Sequence, residues 1–393
     1  MLNLNLVILA GGYGKRISHV TKKTPKPLIK FGKLSFIEHL IGYYAKFNFN
    51  KIYIIAGYKG SKLKKKFHGK KINLTEIECL VEKKNKGTAG ALYEIKKKKP
   101  KNMIVVNGDS FFAINLSKFV KNTKNDLIKI ALVKNQTYKS NKLLSNLNIK
   151  KNKVIFKKNS KYMNGGIYYL NKKFLKNIKN EEKSLEKDFL EDLINKKKVS
   201  GAIFKDSFID IGTKKNLHIA LKTIPKYFYR PAFFLDRDGV INYDYGYVHN
   251  FNKFILRAGV IKGLQYLTNK GINIFIITNQ AGIARNYYNE KQFLNFQRLI
   301  NEKLYNKNIF ISDVQYCPHH PNGKIKKYKV RCKCRKPKNK MILDIMKTHE
   351  VNLDKSCMIG DKKIDEICAK KSNLKFFYPN KNFNTLVKNI LNI

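Results

Sequence analysis

Apolar residues along this chain gather into short β-type runs that alternate with helical-looking segments in both halves. In the first half, LVILA (6–10), KIYIIAG (51–57), NMIVVNG (102–108) and GGIYYL (165–170) read as strands, and residues 34–46 and 185–196 read as helices. A second series opens at AFFLDRDG (232–239) and continues with INIFIITN (272–279) and SCMIGD (356–361). This alternation predicts two Rossmann-like α/β domains with largely parallel sheets. The segment KTIPKYFYRP (222–231), with a proline near each end, predicts the connection between them. The expected organisation is a first domain over 1–224, a linker over 225–231 and a second domain over 232–393. Ligands in such sheets bind beyond the carboxyl ends of the strands, and the polar motifs stand there.

Composition changes this picture only at the edges. A chain of 393 residues exceeds one typical core and suits two domains of roughly 150–230 residues. No run approaches the roughly 18–20 apolar residues of a membrane span. The opening MLNLNLVILA lacks a basic leader region and runs straight into Gly11-Gly12, which fits a first strand rather than a secretion signal. Six cysteines without an even framework fit a reducing cytoplasm. The net charge of +54 raises a nucleic-acid reading, but only 8 of the 81 basic residues are Arg, and base-reading sites favour the Arg fork. Lysines spread over both halves read as a solvated surface with a general attraction for anionic substrates. Small molecules are therefore the expected partners, with no specific nucleic acid and no membrane. The alternative, a Lys-rich nucleic-acid-binding protein, predicts steeply salt-dependent binding.

In the first half, LVILA leads into Gly11-Gly12-Tyr13-Gly14-Lys15-Arg16, then Thr24-Pro25-Lys26-Pro27-Leu28. Glycines directly after a strand let backbone N–H groups approach phosphates, and Arg16 adds charge. Asp109 in Asn107-Gly108-Asp109 ends one strand, and Asp210 stands in Ile209-Asp210-Ile211-Gly212-Thr213. Two such carboxylates beside a Gly-rich loop suggest a Mg²⁺ site for a nucleoside triphosphate. The ordered set LAGGYGKR, PKPL, VEKKNKGTAGAL, VVNGDS, MNGGIYYL and FIDIGT resembles the sugar-1-phosphate nucleotidyltransferases over residues 1–222. With SLEKDFLEDL included, it looks most like the D-glycero-D-manno-heptose 1-phosphate guanylyltransferases. The resemblance implies a mixed sheet and in-line attack of a sugar phosphate on the α-phosphorus, pyrophosphate leaving. It implies Arg16 and Lys26 on the phosphates and Mg²⁺ on Asp109 and Asp210. Gly11, Gly12, Gly87, Thr88 and Lys158 fall in the substrate pocket, with Asn164 and Gly165 at the sugar. Glu82 lies near the family's base pocket, where a carboxylate can accept from N1–H and N2–H₂ of guanine; GTP is the expected donor. The chain departs from the family at Lys15 (usually Thr), at Asn85-Lys86 (usually Pro-Leu) and at Lys157 (usually Glu).

In the second half, Phe234-Leu235-Asp236-Arg237-Asp238-Gly239 sets two carboxylates two residues apart at a strand end. Ile277-Thr278-Asn279-Gln280, Arg335-Lys336-Pro337 and Gly360-Asp361 through Asp365 add a hydroxyl, cations and further carboxylates. This order resembles the haloacid-dehalogenase-type phosphatases over roughly 231–393. The resemblance implies Asp236 as nucleophile and Asp238 as general acid and base. Mg²⁺ falls among Asp236, the Asp238 carbonyl and Asp361. Thr278, Asn279, Arg335 and Lys336 face the phosphorylated substrate, and Asp365 orients the metal's surroundings.

Cys317-x-His319-x₁₂-Cys332-x-Cys334 offers the donor set of a closed structural Zn²⁺ site. Unligated thiols or a Cys332–Cys334 disulfide are the rivals; the one-residue spacing and reducing context weigh against the disulfide. His320 is the alternative imidazole. Cys79, Cys357 and Cys368 lie in or beside apolar runs and read as core thiols. Only 39 residues separate Asp238 from Thr278, and 57 separate Thr278 from Lys336, leaving little room for a cap domain. Zinc is therefore expected to stiffen a substrate-facing loop rather than to catalyse. This loop, FLDRDGVIN, ITNQAGIARNYY and CRKP resemble the D-glycero-D-manno-heptose 1,7-bisphosphate 7-phosphatases, although the histidinol-phosphatase type shares all of them. A 7-phosphatase leaves a sugar 1-phosphate and a nucleotidyltransferase consumes one, so the expectation is a bifunctional enzyme making nucleotide-activated heptose, with GDP as the carrier. The alternative pairs a hexose-1-phosphate nucleotidyltransferase with a phosphatase for another small ester.

Overall fold

The apolar runs become the central strands of two sheets. The computed structural model describes residues 4–17, 21, 24–134 and 145–392. Strand Asn5–Ala10 lies between Ile52–Ala56 and Met103–Asn107, parallel to both, at the centre of a ten-stranded sheet. Beyond Met103–Asn107, Tyr162–Leu170 runs antiparallel and then pairs Ile128–Lys134, so the sheet is mixed. Leu6, Ile8 and Ala10 enter one core and Val7 the core on the opposite face. Burial on both faces is why these strands read as continuous apolar runs rather than alternating ones.

The second sheet holds five parallel strands in the order Asp313–Cys317, Asn273–Asn279, Ala232–Leu235, Cys357–Ile359, Lys375–Phe377. Here Phe233 and Leu235 face one core, Ala232 and Phe234 the other. The first of these sheets is flanked by a short antiparallel pair, Ser110–Phe112 with Phe208–Asp210, whose register sets Asp210 opposite Ser110. Asp109 and Asp210, far apart in sequence, become neighbours.

The connection is not a tether. Helix Lys214–Phe228 runs through most of segment 222–231 with Pro225 inside its last turns. Leu217, Ala220 and Ile224 are buried on the first core, and Phe228 packs on Phe111 and stacks on His39 with ring centroids 4.9 and 4.4 Å apart. Pro225 forfeits one i→i−4 hydrogen bond, and apolar burial of the helix outweighs that loss.

A two-residue turn, Asn73-Leu74, joins Lys71–Ile72 to Thr75–Val81 with φ of 44° and 61°. Its tip enters the second domain. Asn73 N donates to Asp313 Oδ1 (2.8 Å) and Asn73 Nδ2 to the Ile311 carbonyl (3.0 Å), while Leu74 packs on the second domain's core. In return, Tyr305 is buried in the first domain's core. Glu350 Oε1 accepts from Lys33 N (2.7 Å) elsewhere along the seam.

Two candidate active sites and a cysteine-histidine cluster

In the first domain, strand ends and the paired turn converge on a cavity of about 270 Å³ lined by Gly12, Arg16, Lys26, Thr88, Asn107, Asp109 and Gly212, among others. Lys26 is buried and donates to Asp109 Oδ2 at 2.7 Å. Asp210 Oδ1 accepts from Gly212 N at 2.5 Å. A Cβ on Gly212 would lie 2.7 Å from Asp210 Oδ1, 3.2 Å from Arg16 Nη2 and 3.5 Å from Lys26 Nζ, so bare backbone is what lets these groups meet. Two cations and two carboxylates in one cleft can balance a polyphosphate and a divalent ion.

Glu82 follows strand Thr75–Val81 and is buried behind Gly11, where a Cβ would come within 2.6 Å of its Oε2. Burial pushes its pKa up to about 7, against the lowering effect of Lys86. Glu82 Oε1 has no hydrogen-bond partner among the described residues.

The remaining expected pocket residues divide. Gly87 has φ +70°, and a Cβ there would meet the Lys183 carbonyl at 2.6 Å. That carbonyl also takes Ala89 N and Gly90 N (3.0 and 3.2 Å), so segment 181–185 covers this helix start. A Cβ on Gly165 would strike the Phe112 ring at 2.6 Å, which makes its bareness a packing requirement. Asn164 is buried in a hydrogen-bonded network. Lys158 lies on an exposed turn after Lys153–Phe156, outside the cavity lining.

In the second domain, a cavity of about 320 Å³ opens over the carboxyl ends of the parallel strands, lined by Asp236, Asp238, Thr278, Asn279, Arg335 and Lys336. Lys336 Nζ sits 2.8 Å from Asp236 and 2.7 Å from Asp365, all three buried. Burial works against the charge of Lys336, yet the two carboxylates hold its pKa above the ordinary value. Burial raises Asp236 to about 7 in spite of Lys336. Asp236, Asp361 and Asp365 each bring a carboxylate oxygen within 4.8 Å of the others. Asp361 Oδ1 is buried without a partner among the described residues. An orphaned carboxylate oxygen beside two more carboxylates suits a divalent cation. Gly239 (φ +84°) makes room for Asp361, whose carboxylate would clash with any Cβ.

Several site residues carry no assigned role in the sequence motifs. Arg237 is fully buried and donates through Nη2 to both Asp238 oxygens (2.9 and 2.8 Å). Gln280 Nε2 donates to Asp238 Oδ2 (3.1 Å) and to Thr278 Oγ1 (2.8 Å), and its Oε1 accepts from Tyr288 Oη (2.7 Å). Arg285 and Lys362 also line the mouth, and Arg285 Nε is buried without a partner among the described residues. Gln280 directly follows Asn279 and Lys362 directly follows Asp361 in the motifs, a signal that adjacency alone supplied.

The four zinc-ligand candidates come together. Cys317, Cys332 and Cys334 lie with Sγ–Sγ distances of 3.1–3.4 Å, and His319 Nδ1 is 3.3 Å from Cys334 Sγ and 3.7 Å from Cys317 Sγ. A tetrahedral ion with metal–sulfur bonds of about 2.3 Å needs sulfur–sulfur edges of about 3.8 Å, so the cluster is a slightly contracted tetrahedron. His320 instead takes Asn322 N on its Nδ1 and lines the phosphatase cavity. Arg335 Nη1 donates to the His319 carbonyl (3.4 Å), tying the cluster to the cavity wall. Glu290 accepts from Tyr316 Oη and Tyr328 Oη (2.7 and 2.8 Å) and pins the loop from its other side.

Two mixed or parallel α/β sheets with phosphate-handling strand ends define a nucleotidyltransferase joined to a haloacid-dehalogenase-type phosphatase. The family models agree: "Nucleotidyl transferase" matches residues 5–143 and "Haloacid dehalogenase-like hydrolase" residues 328–378. The chain belongs to the D-glycero-β-D-manno-heptose-1,7-bisphosphate 7-phosphatase family. It is 44% identical to that phosphatase of Haemophilus influenzae over 131 residues, 33% of this chain and 71% of the relative. To the Photorhabdus laumondii phosphatase it is 42% identical over 132 residues, 34% of this chain and 70% of the relative. Among solved structures, HddC from Yersinia pseudotuberculosis is 24% identical, covering 56% of this chain and 99% of that one with a TM-score of 0.46. The chain thus carries a transferase and a phosphatase. Among the described residues no helix is long and apolar enough to cross a membrane.

Proposed function

We propose that the chain converts D-glycero-D-manno-heptose 1,7-bisphosphate into a nucleotide-activated heptose, with residues 232–393 removing the 7-phosphate and residues 1–224 transferring GMP from GTP. One observation carries this reading. A phosphatase of the heptose-bisphosphate family shares its chain with a nucleotidyltransferase site, and the sugar 1-phosphate left by the first is the kind of substrate the second consumes. The cationic mouth formed by Arg285, Arg335 and Lys362 supports it, since a substrate with phosphates at both ends needs charge away from the reacting centre.

In the phosphatase, Asp236 attacks the 7-phosphorus and the bond to the heptose oxygen breaks. Asp238 gives that oxygen its proton, leaving an aspartyl-phosphate. Asp238 then takes a proton from water, which attacks the same phosphorus; inorganic phosphate leaves and Asp236 is restored. Arg237, Asn242 and Gln280 aim Asp238 through direct hydrogen bonds. Thr278 and Lys336 hold the transferring oxygens. Magnesium held by Asp236, the Asp238 carbonyl and Asp361 would neutralise phosphoryl charge.

In the transferase no protein nucleophile is required. An oxygen of the heptose 1-phosphate attacks the α-phosphorus of GTP and the bond to pyrophosphate breaks. Arg16 and Lys26 steady the charge and Asp109 with Asp210 would hold magnesium, so catalysis is positioning plus electrostatics. Glu82 reads guanine through its N1–H and N2–H₂ edge. Zinc on Cys317, His319, Cys332 and Cys334 would stiffen the loop that carries Arg335.

The test is phosphorus NMR of the purified chain with heptose 1,7-bisphosphate, Mg²⁺ and equimolar GTP and ATP. Loss of the 7-phosphate signal followed by a sugar-linked guanosine diphosphate is expected. An unchanged bisphosphate spectrum overturns the heptose reading.

A further inference from the structure

Glu186 lines none of the cavities described above, yet it holds the hydroxyl of Thr88, which lines the transferase cavity. Its helix, Glu186–Leu190, packs behind the start of helix Gly87–Lys96. Three hydroxyls converge on its nearly buried carboxylate. Tyr168 Oη donates to Oε1 at 2.7 Å; Thr88 Oγ1 and Ser184 Oγ donate to Oε2 at 2.6 and 3.0 Å.

A carboxylate that accepts three hydroxyl hydrogens decides the direction of every bond beyond it. With its hydrogen committed to Glu186, Tyr168 Oη can only accept, and it does so from Asn164 Nδ2 at 2.7 Å. That fixes the Asn164 amide, whose Oδ1 accepts from Gly166 N at 3.0 Å. On the other side, Thr88 Oγ1 accepts from Leu185 N at 2.8 Å, and Thr88 lines the transferase cavity.

We infer that Glu186 is a positioning residue for nucleotidyl transfer: it sets the donor–acceptor polarity of the Tyr168–Asn164 pair and of Thr88, and thereby which face Asn164 shows to the sugar. The inference rests on the assignment of Asn164 to the sugar pocket. Glu186→Gln preserves volume and keeps one acceptor oxygen; held by the two hydroxyls of Thr88 and Ser184, that oxygen leaves the amide hydrogens facing Tyr168 Oη. The Tyr168 hydroxyl then turns toward Asn164, which must flip and give up its bond from Gly166 N.

The experiment measures nucleotidyl transfer from GTP to heptose 1-phosphate and phosphate release from heptose bisphosphate in the same full-length preparations. In Glu186→Gln the KM for the sugar phosphate should rise about tenfold, one misdirected hydrogen bond being worth roughly that factor. Phosphate release should stay within error. Tyr168→Phe cuts the relay, so adding Glu186→Gln to it should raise the sugar KM little further. A merely structural role would give additive effects. Additive KM changes, an unmoved KM in Glu186→Gln, or a loss that follows the melting temperature and spreads to phosphate release would each overturn the assignment. If the unaltered chain rejects heptose 1-phosphate, the heptose reading fails on its own, and the same cycle is run with the hexose 1-phosphate it accepts.

Discussion

Asp313 stands where the two domains meet, and replacing it with asparagine should stabilise the chain. It opens the edge strand of the phosphatase sheet, buried beneath the Asn73 turn, and accepts from Asn73 N (2.8 Å) and Val314 N (2.7 Å) through Oδ1. Burial raises its pKa from 3.8 to about 6, the two N–H donors and Gln315 opposing the shift. Below pH 3.8 the carboxyl is protonated in both folded and unfolded chains and costs nothing. Between 3.8 and about 6 the unfolded chain loses its proton first, so stability falls as pH rises; above 6 the loss is constant. At about 1.36 kcal/mol per tenfold change in proton affinity, that difference puts the loss on the order of 3 kcal/mol. The amide of the Asp313→Asn variant would keep an oxygen for Asn73 N and Val314 N without the charge, although neutral acceptors hold N–H groups less strongly. Asp313→Asn is therefore expected to add about 1–3 kcal/mol at about pH 8 and almost nothing at about pH 4. Urea unfolding followed by far-ultraviolet circular dichroism is the assay, because the chain has no tryptophan. A variant less stable than the parent at the higher pH, or one whose gain is the same at both, would refute the reasoning. Either result would mean that hydrogen bonds across the seam, not burial of charge, dominate there.

Three further outcomes follow from the sites. Asp236→Asn should cut phosphate release by a factor on the order of 10⁴ or more and leave nucleotidyl transfer intact, while Asp109→Ala should do the reverse; loss of both activities from either change would contradict independent sites. Purified protein should carry about one zinc per chain, and Cys332→Ser should lose it by metal analysis; unchanged metal content would remove the loop assignment. Because Glu82 sheds its proton only near pH 7, the KM for GTP should fall as pH rises through that value while the KM for ATP does not, and Glu82→Gln should weaken GTP by about tenfold. An unchanged GTP-to-ATP preference in that variant would remove Glu82 from base recognition.

The strands were legible because parallel strands buried on both faces leave unbroken apolar runs, and the carboxylates were legible because they stand just past those runs. Asp109, Asp236 and Asp361 need only the chain's own direction to reach the sheet edge. The seam was illegible for the opposite reason. Nothing in KINLTE distinguishes Asn73 from any polar turn residue, since its partner Asp313 lies 240 positions away. Pro225 misled in a similar way, as a local break signal overruled by distant apolar partners for Ala220, Ile224 and Phe228. Glu186 stood inside a recognisable segment, but only the fold brings Tyr168 and Thr88 to its two oxygens.

Charge shows most sharply where sequence reading loses resolution. With 73 lysines among 81 basic residues, a functional lysine such as Lys26 or Lys336 has no compositional contrast; its role emerges from burial beside Asp109 or between Asp236 and Asp365. Arginine is the informative cation because it is scarce. Of the eight, Arg16 lines the transferase cavity, Arg237 grips Asp238, and Arg285 with Arg335 lines the phosphatase mouth. Arg257 donates to the Gly239 and Asn380 carbonyls, holding the loop that follows the catalytic aspartates. Arg230 stands at the seam, its Nε on the Tyr227 carbonyl and its guanidinium over the Tyr227 ring. Arg237 and Arg257 each use several donors of the planar fork at once, which an ammonium group cannot reproduce. In a chain whose solvated surface is written in lysine, a buried or multiply bonded arginine such as Arg237 or Arg257 is therefore worth testing as a position where geometry, rather than charge alone, is needed.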